Sequence, residues 1–250
     1  MLKIEIKGLR EAQAHIAGLQ KQVRFAAAKA LTATAKKVQT ALVQEMGSKF
    51  DKPTPYTLRS TFLKPATKAE LTAVVRLKDR AGTKASMPPS ELLAHQFAGG
   101  SRAWKGLERW LHRAGLIGAG ELVAPGAGAR LDSFGNLSRG QIQQIISQLR
   151  IGGDPQQFAS KSARSRRNVK KAGRIFWARG NARDGHLPRG AWIDQGGAVG
   201  LRPLLLVVSR PSYRRRIELE RIGRDVVARE FQGEFDKAMR DALARRGGKQ

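Results

Sequence analysis

Residues 20–46 read QKQVRFAAAKALTATAKKVQTALVQEM. Val23, Ala27, Ala30, Leu31, Thr34, Val38, Ala41 and Leu42 recur at spacings of three and four, the period of one helical face. The spacing predicts a long helix from Gln20 to Met46, stopped by Gly47. Its apolar face is rich in alanine, which lets a neighbouring helix or sheet approach closely. Gly18 is expected to break the chain between this helix and a shorter one over 9–18.

Working outward, Leu2, Ile4 and Ile6 alternate with Lys3, Glu5 and Lys7, the period of a short strand over 2–8. Downstream, Asp51-Lys-Pro-Thr-Pro55 is a loop. Two strands follow, Leu58–Lys64 and Leu71–Lys78, and the connection Pro65–Ala69 makes an antiparallel pair of them. Glu91–Phe97 reads as a short apolar turn or helix ending at Gly99-Gly100. Arg202–Ser209 holds the longest aliphatic run, Leu204–Val208, and is a strand suited to burial on both faces. Arg215–Arg246 reads as a long amphipathic helix with Ile222, Val226, Phe231, Phe235, Met239 and Leu243 as its stripe.

Between 99 and 190 the texture changes. Gly115–Gly128 is rich in glycine and alanine, and Ser160–Arg174 is basic and polar. One element stands out: Ser138 is placed to cap a helix over 139–149, where Ile142, Ile145, Ile146 and Leu149 repeat at helical spacing. The remainder reads as extended loops that need a neighbour to order them. The expectation is an α+β fold, an antiparallel sheet packed by a long helix of the N-terminal half and a long C-terminal helix. Residues 1–98 and 191–250 together would form the core domain, and 99–190 a loop-rich insertion.

The chain has 250 residues, with 47 lysines and arginines against 20 acids, a net charge of +27. Such a surface calls for an acidic partner: nucleic acid, an anionic membrane or an acidic protein. The absence of cysteine excludes disulfides, thiolate metal sites and cysteine nucleophiles. The first residues lack the apolar block of a signal peptide, and no run approaches the ~20 apolar residues of a bilayer span. A soluble protein made inside the cell, without a membrane association, is therefore expected.

Sites of chemistry are sparse. Glu91 and His95, four apart, could share a helical face as ligands or as an acid–base pair, but a surface ion pair is the commoner meaning of such spacing. The phosphate-binding and nucleophile-elbow motifs GxxxxGK[ST] and GxSxG are absent, and no cofactor is expected. Lys161, Arg164, Arg166, Arg167, Lys170, Lys171 and Arg174 form a basic run without an acid, followed by Ile175-Phe-Trp177. These cations could neutralise phosphates, with the rings stacking on bases, or meet an acidic protein while the rings are core. Trp104, Trp110 and Trp177 are candidate packing or interface anchors. Arg214, Arg215 and Arg216 read as the start of the last helix, where the helix dipole disfavours cations and an outside acidic partner would relieve them.

Several phrases carry a family resemblance. They are Ile4-Glu-Ile-Lys-Gly-Leu9, Ala33-Thr-Ala-Lys-Lys-Val38, Leu93-Ala-His-Gln-Phe-Ala-Gly-Gly100, Asp132-Ser-Phe-Gly-Asn-Leu-Ser-Arg-Gly-Gln-Ile142, His186-Leu-Pro-Arg-Gly190, Arg202-Pro203 and Tyr213-Arg-Arg-Arg-Ile217. In these the chain resembles the minor tail protein Z family of tailed phages and, more loosely, tail-completion and neck proteins. The resemblance implies a virion structural protein without enzymatic activity. It would join a homo-oligomeric, sixfold ring at the head-proximal end of the tail. Its neighbours would be tail-terminator, tail-tube or head–tail connector proteins, with possible DNA phosphate contact. Two other readings stand beside it: a basic nucleic-acid-binding protein, and a cationic nuclease using Glu91 and His95.

Overall fold

The computed structural model describes residues 9–81, 87–153, 156, 158, 162–197 and 200–247, the side chains of 9–19, 184, 246 and 247 excepted. The strand expected over 2–8 lies outside the described residues, as does Lys161. The fold is α+β, as expected, and the chain forms two compact units. The first comprises Met1–Asp79 and Arg216–Gln250, the second Arg80–Arg215.

In the first unit, α1 (Leu9–Lys49) is one continuous helix. It does not break at Gly18. A glycine inside a helix costs about 1 kcal/mol, whereas starting a second helix costs about 4 kcal/mol at a nucleation constant of about 10⁻³. The long C-terminal helix α8 (Leu219–Gly247) packs along it. Their direction is fixed by three cross-links: Glu45 to Arg221, Lys37 to Glu230 and Glu234, and Lys29 to Asp241. As numbers fall on α1 they rise on α8, so the helices run antiparallel. These pairs are exposed and set register more than stability. The stability comes from beneath them.

Ala26, Ala30, Thr34, Val38, Leu42 and Met46 are buried at a spacing of four, a rotation of the expected face that leaves Val23 exposed. Opposite them Ile222, Val226, Ala238 and Ala242 are buried. The expected stripe on α8 is thus correct in its first half only. Phe231, Phe235 and Met239 are half-buried and Leu243 is exposed, because alanines bring the backbones together where larger side chains would hold them apart. After the turn α2 (Pro55–Leu58), β1 (Thr61–Lys64) and β2 (Val74–Leu77) pair antiparallel as expected and pack on α1, but both are shorter than expected, and Leu58 ends α2 instead of opening a strand.

The second unit corrects the expected domain boundaries. Residues 99–190 are not a loop-rich insertion. They supply α5 (Gly106–Arg113), β3 (Glu121–Pro125), α6 (Arg139–Leu149), α7 (Ala163–Ala172) and β4 (Arg174–Ala178), preceded by the short helices α3 (Pro89–Leu92) and α4 (Ala94–Ala98). With β5 (Gly190–Asp194) and β6 (Leu201–Ser209) the strands form an antiparallel sheet in the order β3-β6-β5-β4. The aliphatic strand β6 is central, hydrogen-bonded to β3 and β5, so it belongs with the middle of the chain. Leu107 and Leu111 of α5 and Ile145 of α6 cover Ile175, Ile193, Leu204 and Leu205 in a core of this unit's own.

Two local features give a proline and a glycine of this unit their roles. Pro203 sits in a central strand, where it lacks a donor, and is accommodated at a bulge where Trp192 faces Pro203 after Ala191 faces Leu205. A side chain at Gly126 would run into the Pro203 carbonyl. The end of the glycine-rich segment, at Gly126 and Gly128, is therefore a close backbone approach after β3. Ser138 caps α6 as expected, its hydroxyl accepting from the Gln141 N–H. Ser138→Ala should cost the second unit about 1 kcal/mol, read as a lower urea midpoint of tryptophan fluorescence.

Candidate functional site

Arg164, Arg166, Arg167, Lys170 and Lys171 of the basic run lie on one helix, α7, and Arg174 opens β4. Ser162 caps α7 by accepting from the Ser165 N–H. Gly173 ends it at φ +96, where a side chain would also meet Ile193 at 2.7 Å. At about 100° per residue, Arg166, Lys170, Arg167, Lys171 and Arg164 occupy an arc of about 160°. Ser165, Asn168, Val169 and Ala172 occupy the opposite arc and, with Lys171 at the edge of the cationic arc, line a groove against α6. All five cations and Arg174 are exposed. Among the described residues no carboxylate lies within ion-pair distance of any of them.

Four of the second unit's acids are held by partners away from this face. Residues 80–215 hold 23 lysines and arginines against seven acids. Glu108 is bound to Arg102, Glu121 to Arg189 at 2.6 Å, Asp132 to the N–H groups of Phe134 and Asn136, and Asp194 to the Gly196 N–H. With no ion pair among the described residues, the cations of α7 are available to an outside anion.

The groove behind α7 holds about 920 Å³ and opens between α6, α7 and the sheet. Two glutamines fix its wall. Gln148 donates to the Gly173 carbonyl at 3.1 Å and accepts from the Ile175 N–H at 2.7 Å, clamping the end of α7 to α6. Gln141, buried, accepts from the Arg130 N–H at 2.7 Å and donates to the Gly128 carbonyl at 3.2 Å. Sequence reasoning missed both, since an amide's choice of backbone partner leaves no periodic signal.

The tryptophans are anchors of packing. Trp110 and Trp177 lie against the second unit's core, with the Arg113 guanidinium 4.8 Å from the Trp110 ring centre. Trp104 donates to the Glu121 carbonyl at 3.1 Å and its ring meets His112 with centres 4.1 Å apart. Trp177 and Phe176, half-buried in β4, are not an exposed stacking platform beside the basic run.

Arg214, Arg215 and Arg216 are exposed but do not begin α8. They precede it in a stretch that is neither helix nor strand: Tyr213 bridges to Gly100, Ile217 is fully buried, and the helix starts at Leu219 with Glu220 in its first turn. An acid there suits the dipole, so the anticipated conflict does not arise. Glu91 and His95 lie in successive short helices broken at Leu93. Glu91 is exposed, while His95 is buried with its ring 4.7 Å from that of Tyr213. No group of three metal-ligating side chains occurs among the described residues.

One charged feature was not legible in the sequence. Glu108, only 3% exposed, receives both terminal nitrogens of Arg102 at 2.6 Å, the Lys105 N–H at 2.8 Å and the Val123 N–H at 3.2 Å. Burial pushes its carboxyl up. The Arg102 guanidinium and the backbone donors outweigh burial and hold it below the usual carboxylate range. A carboxylate with all its acceptors filled is a clasp joining Arg102, α5 and β3, not a free acid.

No protein-family model matches the chain, and neither a curated protein nor a solved structure does.

Proposed function

We propose that the protein is a phage virion structural protein, a tail-completion or neck ring subunit that completes the head-proximal end of the tail and joins it to the connector. The observation that supports this best lies in Asp132–Ile142, the longest phrase of the resemblance. There Asp132 ties down a tight loop through the N–H groups of Phe134 and Asn136, both at 2.9 Å. That loop holds Leu131 and Phe134 out in solvent, 50% and 38% exposed. A rigid apolar knob loses little freedom on burial and suits a lasting contact between subunits. The exposed cations of α7, without an ion pair among the described residues, suit acidic neighbours in an assembly.

The mechanism is geometric and electrostatic, without chemistry. Apolar contact closes a homo-oligomeric, sixfold ring, and the basic face holds an adjoining ring of the tail tube or connector. No described helix is long and apolar enough to cross a membrane, and the site of action is the virion. The purified chain should change from a small species in light scattering to a closed ring in imaged particles. Reversing Arg164, Arg166, Arg167, Lys170 and Lys171 to glutamate should stop tail maturation or head joining while the subunit stays folded. Normal virion yield from that variant would rule out the electrostatic part. A chain that never enters virions would rule out the whole reading and favour a basic nucleic-acid-binding protein.

A further inference from the structure

We propose that the groove between α6 and α7 binds a single-stranded nucleic acid, phosphates against Arg130, Lys171 and Arg202 and base edges against Gln143, Asn168 and Gln195. This goes beyond the assembly reading and holds whether or not the chain forms a ring. Eleven of the sixteen described lining residues are polar or cationic, and none is acidic. Lys171 and Arg202 are exposed and make no ion pair among the described residues. Arg130 is aimed along the wall by a 2.8 Å bond from its guanidinium to Gln144. Cations placed in this way neutralise phosphates.

The amides supply the other half of the recognition. Gln143, Asn168 and Gln195 make no side-chain hydrogen bond among the described residues. Each can donate and accept, which matches the mixed edges of unpaired bases. The wall that carries them is held by Gln141 and Gln148, whose amides are spent on backbone, so little ordering is left for the moment of binding. An acidic peptide is the weaker fit, because a peptide site is built around buried apolar and aromatic anchors and this lining is mainly polar. A duplex keeps its Watson–Crick edges paired inside and could offer the groove only its phosphates.

The outer arc of α7 provides the control, since Arg166 and Lys170 point away from the groove. A short fluorescein-labelled oligothymidylate is titrated into the purified full chain at several salt concentrations and followed by anisotropy. Lys171→Ala with Arg202→Ala should make the slope of log K against log salt shallower by about 1.4, at about 0.7 per single-strand phosphate contact. Gln143→Ala with Asn168→Ala should weaken binding roughly fivefold without changing that slope. Arg166→Ala with Lys170→Ala should leave both quantities as in the parent. All these side chains are exposed, and unchanged tryptophan fluorescence would show the variants folded. Equal losses from the groove pair and the outer pair would overturn the proposal, as would a duplex that binds more tightly. Competition by polyglutamate as effective as that by unlabelled oligothymidylate would assign the groove to an acidic peptide instead.

Discussion

Replacing Glu108 by alanine is expected to destabilise the second unit by about 3–5 kcal/mol, the range for removing one partner of a buried ion pair. The loss exceeds that of one contact. Arg102, with a side chain 17% exposed, keeps a charge it can no longer neutralise, and the N–H groups of Lys105 and Val123 lose their acceptor. The measurement is convenient, because all four tryptophans, Trp104, Trp110, Trp177 and Trp192, lie within 80–215. Tryptophan fluorescence therefore reports the second unit alone. Its urea midpoint should fall sharply in the variant, while far-UV ellipticity from α1 and α8 is retained at intermediate urea. A midpoint within error of the parent would show that Glu108 is not the clasp.

The same residue gives a pH dependence of definite sign. Because the folded carboxyl titrates below its unfolded value of about 4.3, its contribution is fully present above that value. It is lost as pH falls through the folded pKa. The parent's fluorescence midpoint should hold steady from neutral pH down to the ordinary carboxylate range and then drop. Glu108→Ala should show less of that drop.

Leu42→Ala should produce the complementary result in the first unit. Leu42 is fully buried in α1, on the face shared with Val38 and Met46, and truncation removes three carbons from a packed interior. Such changes cost about 2–5 kcal/mol, depending on how far the surroundings collapse into the space. Leu42 lies inside a long helix packed along α8, where a shift of one residue moves the whole turn. The first unit has no tryptophan, so far-UV circular dichroism is the readout. An early loss of helix signal with an unmoved fluorescence transition is expected. If both signals shifted together, the cores would not be the independent sources of stability their contents suggest.

The candidate site was half legible. The run from Arg164 to Lys171 is visible in the sequence because charge needs no partner to be recognised. Its helical state is not, since α7 offers only Ala163, Val169 and Ala172 as apolar residues and so has no stripe to read. Without that helix, the division of the run into an outer cationic arc and a groove-lining arc cannot be drawn. The groove joins residues near 130, 144, 171 and 202, and no local pattern connects them.

By itself the sequence determined what depends on neighbours along the chain. The helical period of α1, the cap at Ser138, the antiparallel β1–β2 pair and the aliphatic strand β6 all express contacts over a few residues, or an apolar density high enough to demand burial. Tertiary structure decided the rest. It placed β6 between β3 and β5, because Glu121–Pro125 is too short to show a period and pairs with residues some eighty positions away. That pairing moved the unit boundaries to 79/80 and 215/216 and gave the supposed insertion its own core. It also turned Tyr213–Arg216 from a helix start into a non-helical approach, because Ile217 is buried and the Tyr213 backbone pairs with Gly100. The clasp at Glu108 belongs to the same class, since a carboxylate withdrawn from water is stable only where folding brings an arginine and two backbone donors to it.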